Sequence, residues 1–317
     1  MKISVRIFMT AVIALNLAGC SNDKIYQDEQ YKNLVYLLSG TDNVFVSSYT
    51  LNEEESDRYV TVGCGGSNAN DKNIVVNLDP APEWMDRYNS LKFDYEYQYA
   101  KLLPANRYQI ASYTVTLPAL SGYHYERLNV KVRPLGLSPD SIYFVPLKIV
   151  SVSDYEVNED KQYVLFRAAI ENDYATQVPQ TYYRKDGSID NPYTVLSGVK
   201  TVHPLTKDKV RMFIGNGAYT EDTTPEYITR NSVVVQIHPN NSVTVSPYDD
   251  SVMEVEMLEN VDNKIENFNL YNPEYMQGVT KQRVFWLYYR FRQKPAGSDD
   301  FGEWRNVEER LIRVETD

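Results

Sequence analysis

The sequence predicts an all-β protein built from two domains. Short runs of β-branched and aromatic residues recur along the chain, and turn-forming Gly, Asn, Asp and Pro residues separate them. Amphipathic helical segments do not intervene between most of these runs. The 317 residues are enough for two domains of ordinary size, and a content of 43% hydrophobic and 24% charged residues is typical of a folded globular protein.

The first half of the chain is predicted to form a β-sandwich. Its clearest strand places Leu128, Val130 and Val132 at alternate positions between polar residues, which gives one dry face and one wet face. Further strand-like runs cover residues 142–152 and 163–170. Because successive strands at this spacing have no amphipathic helices between them, a β-sandwich is favoured.

One aromatic-rich stretch of the first half, residues 81–103, allows two interpretations. Short helical turns fit residues 83–90 and 96–103. The alternation of Tyr95, Tyr97 and Tyr99 fits a strand equally well. Both interpretations stay open from the sequence.

The second half is predicted to be an up-and-down antiparallel barrel, with a second sandwich as the alternative. Asp186-Gly187 predicts a hairpin turn near its start. Residues 283–292 form its most aromatic strand, and residues 304–314 form a plausible last strand. Because both faces of the 283–292 strand carry rings, we expect both to be covered, one packed outward and one facing a cavity inside a barrel.

The N-terminus has the pattern of a bacterial lipoprotein. Lys2 and Arg6 precede an apolar run that is too short to span a bilayer as a permanent helix. The run ends in Leu-Ala-Gly before Cys20, as in a lipobox. We therefore expect residues 1–19 to be a signal peptide and Cys20 to carry the lipid anchor. Residues 20–31 are polar and suit a lipidated tether, and the anchor would be the only contact with the membrane.

Composition excludes several classes of function. The formal charge of -11 and the pI of about 4.9 argue against nucleic acid as a partner, because such a surface must be basic. Cleavage after residue 19 would remove two positive charges and make the chain still more acidic. The second cysteine, Cys64, has no obvious base beside it in the sequence, so we expect it to be buried and inert.

The sequence nominates no catalytic residue, no metal ligand and no cofactor. It holds three histidines, and none has a metal-binding spacing such as His-Glu-x-x-His. The acidic pairs Asp249-Asp250 and Asp299-Asp300 lack the ligand pattern of an EF-hand loop. A glycoside hydrolase stays open as the enzyme alternative, since it needs only two carboxylates and the chain has 43 acidic residues.

Aromatic residues are the better lead to a ligand. Tyr and Trp combine a flat apolar body with a polar tip, which suits the C–H faces and hydroxyl groups of sugars. The candidate glycan-binding residues are Trp84, Trp286, Tyr288 and Trp304. The alternative is that these rings fill the core, and for Trp286, in the middle of a strand, the core is favoured.

The first half resembles a domain of unknown function found in surface lipoproteins of Bacteroidetes polysaccharide-utilisation loci. The resemblance lies in Leu103–Tyr108, Val115–Leu120, Val130–Val132 and the run from Leu137 to Ile149. In that family these segments mark strands of an immunoglobulin-like sandwich. Leu120 departs from the pattern, because the family usually has glycine there.

The second half resembles a partner domain with a calycin-like, or lipocalin-like, barrel. Tyr182-Tyr183, Val210–Gly215 and Trp286–Phe291 carry this resemblance. The two resemblances imply an immunoglobulin-like domain over residues 32–174 and a calycin-like domain over residues 180–317.

The family also implies a non-catalytic outer-membrane lipoprotein, exposed at the cell surface, that binds or presents glycans for uptake. A glycan, either a polysaccharide or a host oligosaccharide, and an outer-membrane glycan importer complex are the expected partners. A structural or adhesion subunit of an envelope complex is the alternative.

Overall fold

The computed structural model describes residues 32–66, 70–120 and 124–314. The predicted signal peptide, the lipid anchor at Cys20 and the tether over residues 20–31 lie outside the described residues. Within them the chain folds into a β-sandwich followed by a barrel, which confirms the predicted all-β class.

The sandwich consists of two facing sheets. One sheet has the strand order β10-β1-β3-β8-β6, and the other has the order β2-β11-β9-β4-β7 with β5 paired to β9. Its strands are β1 (Leu34–Leu37), β2 (Val44–Thr50), β3 (Ser56–Cys64), β4 (Ile74–Pro80), β5 (Lys101–Leu102), β6 (Tyr108–Gln109), β7 (Thr114–Leu117), β8 (Tyr125–Val132), β9 (Tyr143–Val152), β10 (Glu156–Val157) and β11 (Tyr163–Glu171). Short 3-10 turns lie at Ala105–Arg107 and Glu159–Lys161.

The sandwich core lies between the two sheets. Leu128, Val130 and Val132 point into it, as the period-two pattern predicts, and their polar neighbours face outward. Phe166 on β11 and Tyr49 on β2 meet edge to face in the same core, with ring centroids 6.5 Å apart. Cys64 is buried at the end of β3, with 2% of its surface exposed.

The aromatic-rich stretch forms a helix rather than a strand. Helix α1 (Glu83–Lys92) packs its buried residue Met85 on the outer face of the second sheet, against Phe144. A 3-10 turn follows at Glu96–Gln98, and the chain then returns to the sheet as β5. The alternating tyrosines therefore lie on this turn and not on a strand.

The C-terminal domain is a nearly closed antiparallel barrel with the strand order β17-β16-β15-β14-β12-β21-β20-β18. β13 pairs with β12, and β19 pairs with β20. The strands are β12 (Thr181–Ile189), β13 (Thr194–Leu196), β14 (Val199–Thr206), β15 (Lys209–Phe213), β16 (Ser232–Ile237), β17 (Val243–Pro247), β18 (Met253–Met257), β19 (Leu270–Gln277), β20 (Thr280–Gln293) and β21 (Arg305–Val314). A short helix, α2 (Pro225–Asn231), connects β15 to β16, and a 3-10 turn lies at Val261–Asn263.

Both faces of β20 are covered. Phe285, Leu287, Tyr289 and Phe291 point into the barrel, where they pack as a buried core. The alternate residues Val284, Trp286 and Tyr288 form a separate outer cluster with Ile312 of β21, covered by Phe268, Leu270 and Tyr275. The 14 residues of β20 therefore serve two cores at once.

Two local expectations are settled by the backbone. Asp186 and Gly187 lie within β12, so the predicted hairpin turn at this pair is wrong. Gly187 is needed for another reason, since its φ is +141° and the backbone of β21 passes against it. Leu120, where the resembled family usually has glycine, has a φ of 53°, in the left-handed region that glycine adopts most readily.

Among the described residues, no helix combines the length and the apolar character that a bilayer crossing needs.

Candidate functional site

The best-formed candidate site is a cleft between the sandwich and the barrel, with a volume of about 660 Å³. Clefts of this size at domain boundaries are common ligand sites in proteins. The sandwich contributes α1, the turn after it and part of β11. The linker contributes residues 177–180, and the barrel contributes Tyr219, Glu221, Asp222, Thr223, Pro225 and Ile228. We call this the inter-domain cleft.

Helix α1 and its turn form the sandwich wall. Asn89 fixes the return of the chain, because its side-chain amide donates to the Ala100 carbonyl at 3.0 Å and accepts from the Ala100 N–H at 2.9 Å. Tyr88 packs edge to face on Phe144 of β9, with ring centroids 5.0 Å apart. These contacts hold the segment from Phe93 to Gln98 against the barrel.

The barrel wall is the loop that precedes α2. Thr224 caps this helix by accepting a hydrogen bond from the Tyr227 N–H. The carbonyl of Glu221 accepts a hydrogen bond of 2.9 Å from Gln98 Nε2. The carbonyl of Asp222 accepts a longer bond, 3.4 Å, from the Tyr97 hydroxyl. The two walls therefore touch at one end of the cleft.

A buried ion pair joins the two domains beside the cleft. Arg211 of β15 is fully buried and donates two hydrogen bonds to Asp140 of the sandwich, one of them from Nη2 to Oδ1 at 2.6 Å. Burial opposes the charged form of Arg211, but the bonds to Asp140 prevail and raise its pKa. Gln177 of the linker adds hydrogen bonds to the carbonyls of Pro139 and Ser141.

His203 and Tyr219 pack on this ion pair. Their ring centroids are 4.6 Å apart, and His203 lies opposite Arg211 in the β14–β15 ladder. Burial, assisted by the positive charge of Arg211, lowers the pKa of His203 to about 3. His203 is therefore neutral at physiological pH, and its ring packs beside the ion pair that joins the domains.

Arg167 brings a half-buried positive charge to the cleft. It lies on β11 directly opposite Phe144 of β9, and its Nε is buried with no hydrogen-bond partner among the described residues. Burial lowers its pKa, and the neighbouring Tyr88 hydroxyl offsets this effect in part. Lys92, the other basic residue of the cleft, forms an ion pair of 2.6 Å with Asp42.

Two stacked tyrosines lie at the 3-10 turn that follows α1. Tyr95 and Tyr97 have ring centroids 5.5 Å apart and planes 14° from parallel, and they are 54% and 40% exposed. Tyr97 lines the cleft itself, together with Tyr88, Phe93 and Tyr219. The cleft thus combines aromatic faces with carboxylates, amides and the guanidinium of Arg167, which has no ion pair among the described residues.

The predicted residue Trp84 lies on α1, outside the cleft lining. Its ring stacks on Tyr163 of β11 with centroids 3.7 Å apart and planes 9° from parallel. The guanidinium of Arg87 lies 5.7 Å from the same ring. The ring therefore helps to fix α1 to the sheet.

Trp286 and Tyr288 lie together in the outer cluster of the barrel. They are 8% and 9% exposed. Tyr288 stacks on Phe268, with centroids 4.7 Å apart, and Trp286 meets Tyr275 edge to face. Trp304 lies apart from them, with the guanidinium groups of Arg290 and Arg292 at 4.7 and 4.8 Å from its ring.

The four predicted residues are thus at three separate places, and the described cleft is lined by other residues. The sequence pattern alone does not single out Tyr88, Tyr97, Arg167 or Tyr219. The aromatic density of residues 84–99 was the available signal, since three of the ring residues of the cleft come from it. Within the described ranges, no group of three or more His, Cys, Asp and Glu side chains is arranged to hold a metal ion.

Two family models match this chain. One describes an N-terminal domain and matches residues 28–156, and the other describes a C-terminal domain and matches residues 162–312. No curated protein matches the chain.

Several solved Bacteroides structures are similar over both domains. A protein of unknown function from Bacteroides ovatus has a TM-score of 0.62 at 14% identity, over 89% of this chain and 94% of the other. A second protein of unknown function from Bacteroides ovatus has a TM-score of 0.59 at 14% identity, over 93% and 94%. An auxiliary nutrient binding protein from Bacteroides thetaiotaomicron has a TM-score of 0.56 at 12% identity, over 86% and 91%. At these identities the likeness establishes a shared fold.

Proposed function

We propose that this chain, which belongs with the proteins that carry these N-terminal and C-terminal domains, binds glycans in its inter-domain cleft without cleaving them. In this proposal Cys20 anchors the protein to the outer membrane by its lipid, and the folded domains face the cell surface. Presentation of the glycan to an outer-membrane importer for uptake is part of the same proposal.

The observation that carries the proposal is the pair of stacked, half-exposed tyrosines, Tyr95 and Tyr97, of which Tyr97 lines the cleft. An exposed ring offers its face to the C–H groups of a sugar, and its hydroxyl can bond to sugar hydroxyls. Tyr97 is well placed for both, because its ring lines the cleft and its hydroxyl lies at the contact between the domains. Carboxylate, carbonyl and amide groups of the surrounding walls supply further hydrogen-bond partners.

The name of one structural relative agrees with this proposal. The Bacteroides thetaiotaomicron protein of the same fold is called an auxiliary nutrient binding protein. A polysaccharide fragment is a nutrient of this kind, and the cleft volume suits one or two sugar rings, since small-molecule sites typically measure about 300–1,000 Å³.

A binding test with the chain from Ser21 onward examines the proposal directly. Affinity gel electrophoresis and a glycan array should identify at least one retained plant, microbial or host glycan. Tyr97→Ala should weaken that binding about tenfold, the equivalent of about 1.4 kcal/mol. Tyr193→Ala is the matched control, because Tyr193 is 74% exposed on the barrel and does not line the cleft.

The outcomes separate the proposal from its alternatives. Retention that Tyr97→Ala and Tyr193→Ala leave equally unchanged would place the glycan elsewhere on the protein. No retention of any glycan, with binding to another envelope protein instead, would favour a structural or adhesion subunit. Release of reducing sugar ends from a bound polysaccharide would indicate a glycoside hydrolase and would contradict the non-catalytic part of the proposal.

A further inference from the structure

Arg167 is the unusual charge of the inter-domain cleft. Along β11, Tyr163, Leu165 and Arg167 share the outer face of the sheet that α1 covers. Trp84 stacks on Tyr163, and Leu165 is 1% exposed under the helix. Arg167 is the next residue on this face, and it is the one that lines the cleft.

A half-buried guanidinium normally has an anionic partner, because removing it from water is costly. The buried guanidinium beside the cleft follows this rule, since Arg211 pairs with Asp140, and even the exposed Lys92 pairs with Asp42. No ion pair or hydrogen bond of the Arg167 side chain occurs among the described residues, and its buried Nε has no acceptor. Its planar fork of donors matches a carboxylate or a sulfate ester.

We infer that the cleft selects acidic glycans, and that Arg167 binds the carboxylate or sulfate group of the sugar. The inference rests on the proposed function and specifies its ligand class. The opposite wall explains why a sugar is expected rather than a bare anion. Glu221 and Asp222 line that wall, and acids outnumber bases in the cleft, so a small free anion gains little there. An acidic sugar can place its anion on Arg167 and its hydroxyl donors on these carboxylates.

The substitution Arg167→Met tests the inference without loss of the fold. It removes the charge and keeps a side chain of similar length, so the apolar contacts with Tyr88 and Phe144 can remain. Because an unpaired half-buried charge opposes folding, the melting temperature of Arg167→Met should equal or exceed that of the wild type. A clear fall in melting temperature would show a structural partner for Arg167 and would overturn the inference.

Binding is measured with three probes: oligogalacturonate, the same oligosaccharide with its carboxyl groups reduced to alcohols, and a heparin fragment. The wild type should bind an acidic probe at least tenfold more tightly than the reduced probe. Arg167→Met should lose this preference. Arg87→Met, an arginine of α1 that does not line the cleft, should keep it. Tighter binding of oligogalacturonate than of heparin assigns a carboxylate, whereas tighter binding of heparin, which carries carboxylates as well, assigns a sulfate group.

The two proposals fail in distinguishable ways. If neutral and acidic glycans bind the wild type equally, or if Arg167→Met keeps the preference, the acidic ligand is wrong while glycan binding stands. If no oligosaccharide binds, the melting temperatures of the wild type and of Arg167→Met are compared in glucuronate and in glucose, at equal concentration and ionic strength. If glucuronate raises the melting temperature of the wild type but not that of Arg167→Met, the role of Arg167 is supported. If glucuronate changes the melting temperatures of both proteins equally, that role is overturned.

Discussion

Arg211 of the barrel donates two hydrogen bonds to the carboxylate of Asp140 in the sandwich. The Arg211 side chain is completely buried, whereas 18% of the Asp140 side chain is exposed. The pair therefore connects the domains, and its positive member, Arg211 of the barrel, has no contact with solvent. Because the two side chains differ in exposure, we expect substitutions of Asp140 and of Arg211 to lower the free energy of unfolding by different amounts.

Asp140→Asn should destabilise the protein by about 3 kcal/mol, because it leaves a buried guanidinium without its counter-ion. Arg211→Met should cost less, since the remaining carboxylate is partly exposed and methionine fills much of the vacated volume. Denaturant unfolding of both variants measures the two values. As a control, Glu274→Gln removes the exposed partner of Lys281 and should change stability by less than about 1 kcal/mol. Equal costs for Asp140→Asn and Glu274→Gln would contradict this account.

His203 predicts a pH dependence of the folded state. Burial lowers its folded pKa to about 3, whereas the unfolded value is about 6.5. Below pH of about 6.5 the unfolded chain takes up a proton that the folded chain does not, so the free energy of unfolding falls as the pH falls. The stability that neutral His203 contributes is therefore complete above this pH and declines towards pH of about 3.

Between pH values of about 8 and 5, the free energy of unfolding should fall by about 2 kcal/mol because of His203. His203→Gln should remove this part of the pH dependence, which urea unfolding at both pH values measures. His238→Gln is the control, because His238 lies in a hairpin beside Thr244 and is not buried in the same way. The hypothesis is wrong if His203→Gln and the wild type lose the same free energy on acidification.

The fold class could be predicted because a strand carries its burial pattern in its own sequence. Leu128, Val130 and Val132 alternate with polar residues, and they are buried in the sandwich. The rings on both faces of the strand around Trp286 likewise predict that both faces are covered. Asp186-Gly187 shows the limit of local patterns. The pair resembles a turn, but here the glycine admits a neighbouring strand that lies more than a hundred residues away in the sequence.

The candidate site could not be predicted in the same way, because it forms where two domains meet. Tyr97, Arg167 and Tyr219 come from distant segments, and nothing in their local sequence specifies which surfaces become neighbours. Ring composition also does not report exposure. Trp286 is 8% exposed and Tyr97 is 40% exposed, although both belong to aromatic-rich segments. Arg167 has no sequence signal at all, since only the packed structure shows that no counter-ion lies beside it among the residues that are described.

Lys200 and Glu309 form an ion pair inside the barrel, with side chains 1% and 0% exposed. Lys185 lies in the same charged cluster, and burial followed by the charge of Lys200 lowers its pKa. Glu309→Leu should therefore destabilise the barrel by about 3–5 kcal/mol, because it leaves basic groups uncompensated. The double variant Lys200→Met with Glu309→Leu should be more stable than Glu309→Leu alone. A double-mutant cycle by chemical denaturation measures this coupling, and simple additivity of the single changes would contradict it.

Gly187 and Gly198 provide a matched pair that tests how β12 and β21 approach each other. Both have positive φ values, +141° and +88°. A Cβ on Gly187 would lie 2.0 Å from the Glu308 carbonyl oxygen and 2.9 Å from the Glu309 Cα, and backbone atoms cannot rotate away as a side chain could. A Cβ on Gly198 meets no described atom within 4 Å, so only its backbone conformation opposes a side chain there.

Gly187→Ala should therefore separate the two strands beside Glu309 and cost more than about 4 kcal/mol, in the range of the most damaging single substitutions. Gly198→Ala should cost about 1 kcal/mol, the strain of a left-handed conformation in a residue with a Cβ. Melting temperature and soluble yield measure the difference. If Gly187→Ala fails to fold, its low soluble yield still shows the larger cost. Closely similar melting temperatures for the two variants would show that β21 can shift away from β12 at little cost, against the packing described for this barrel.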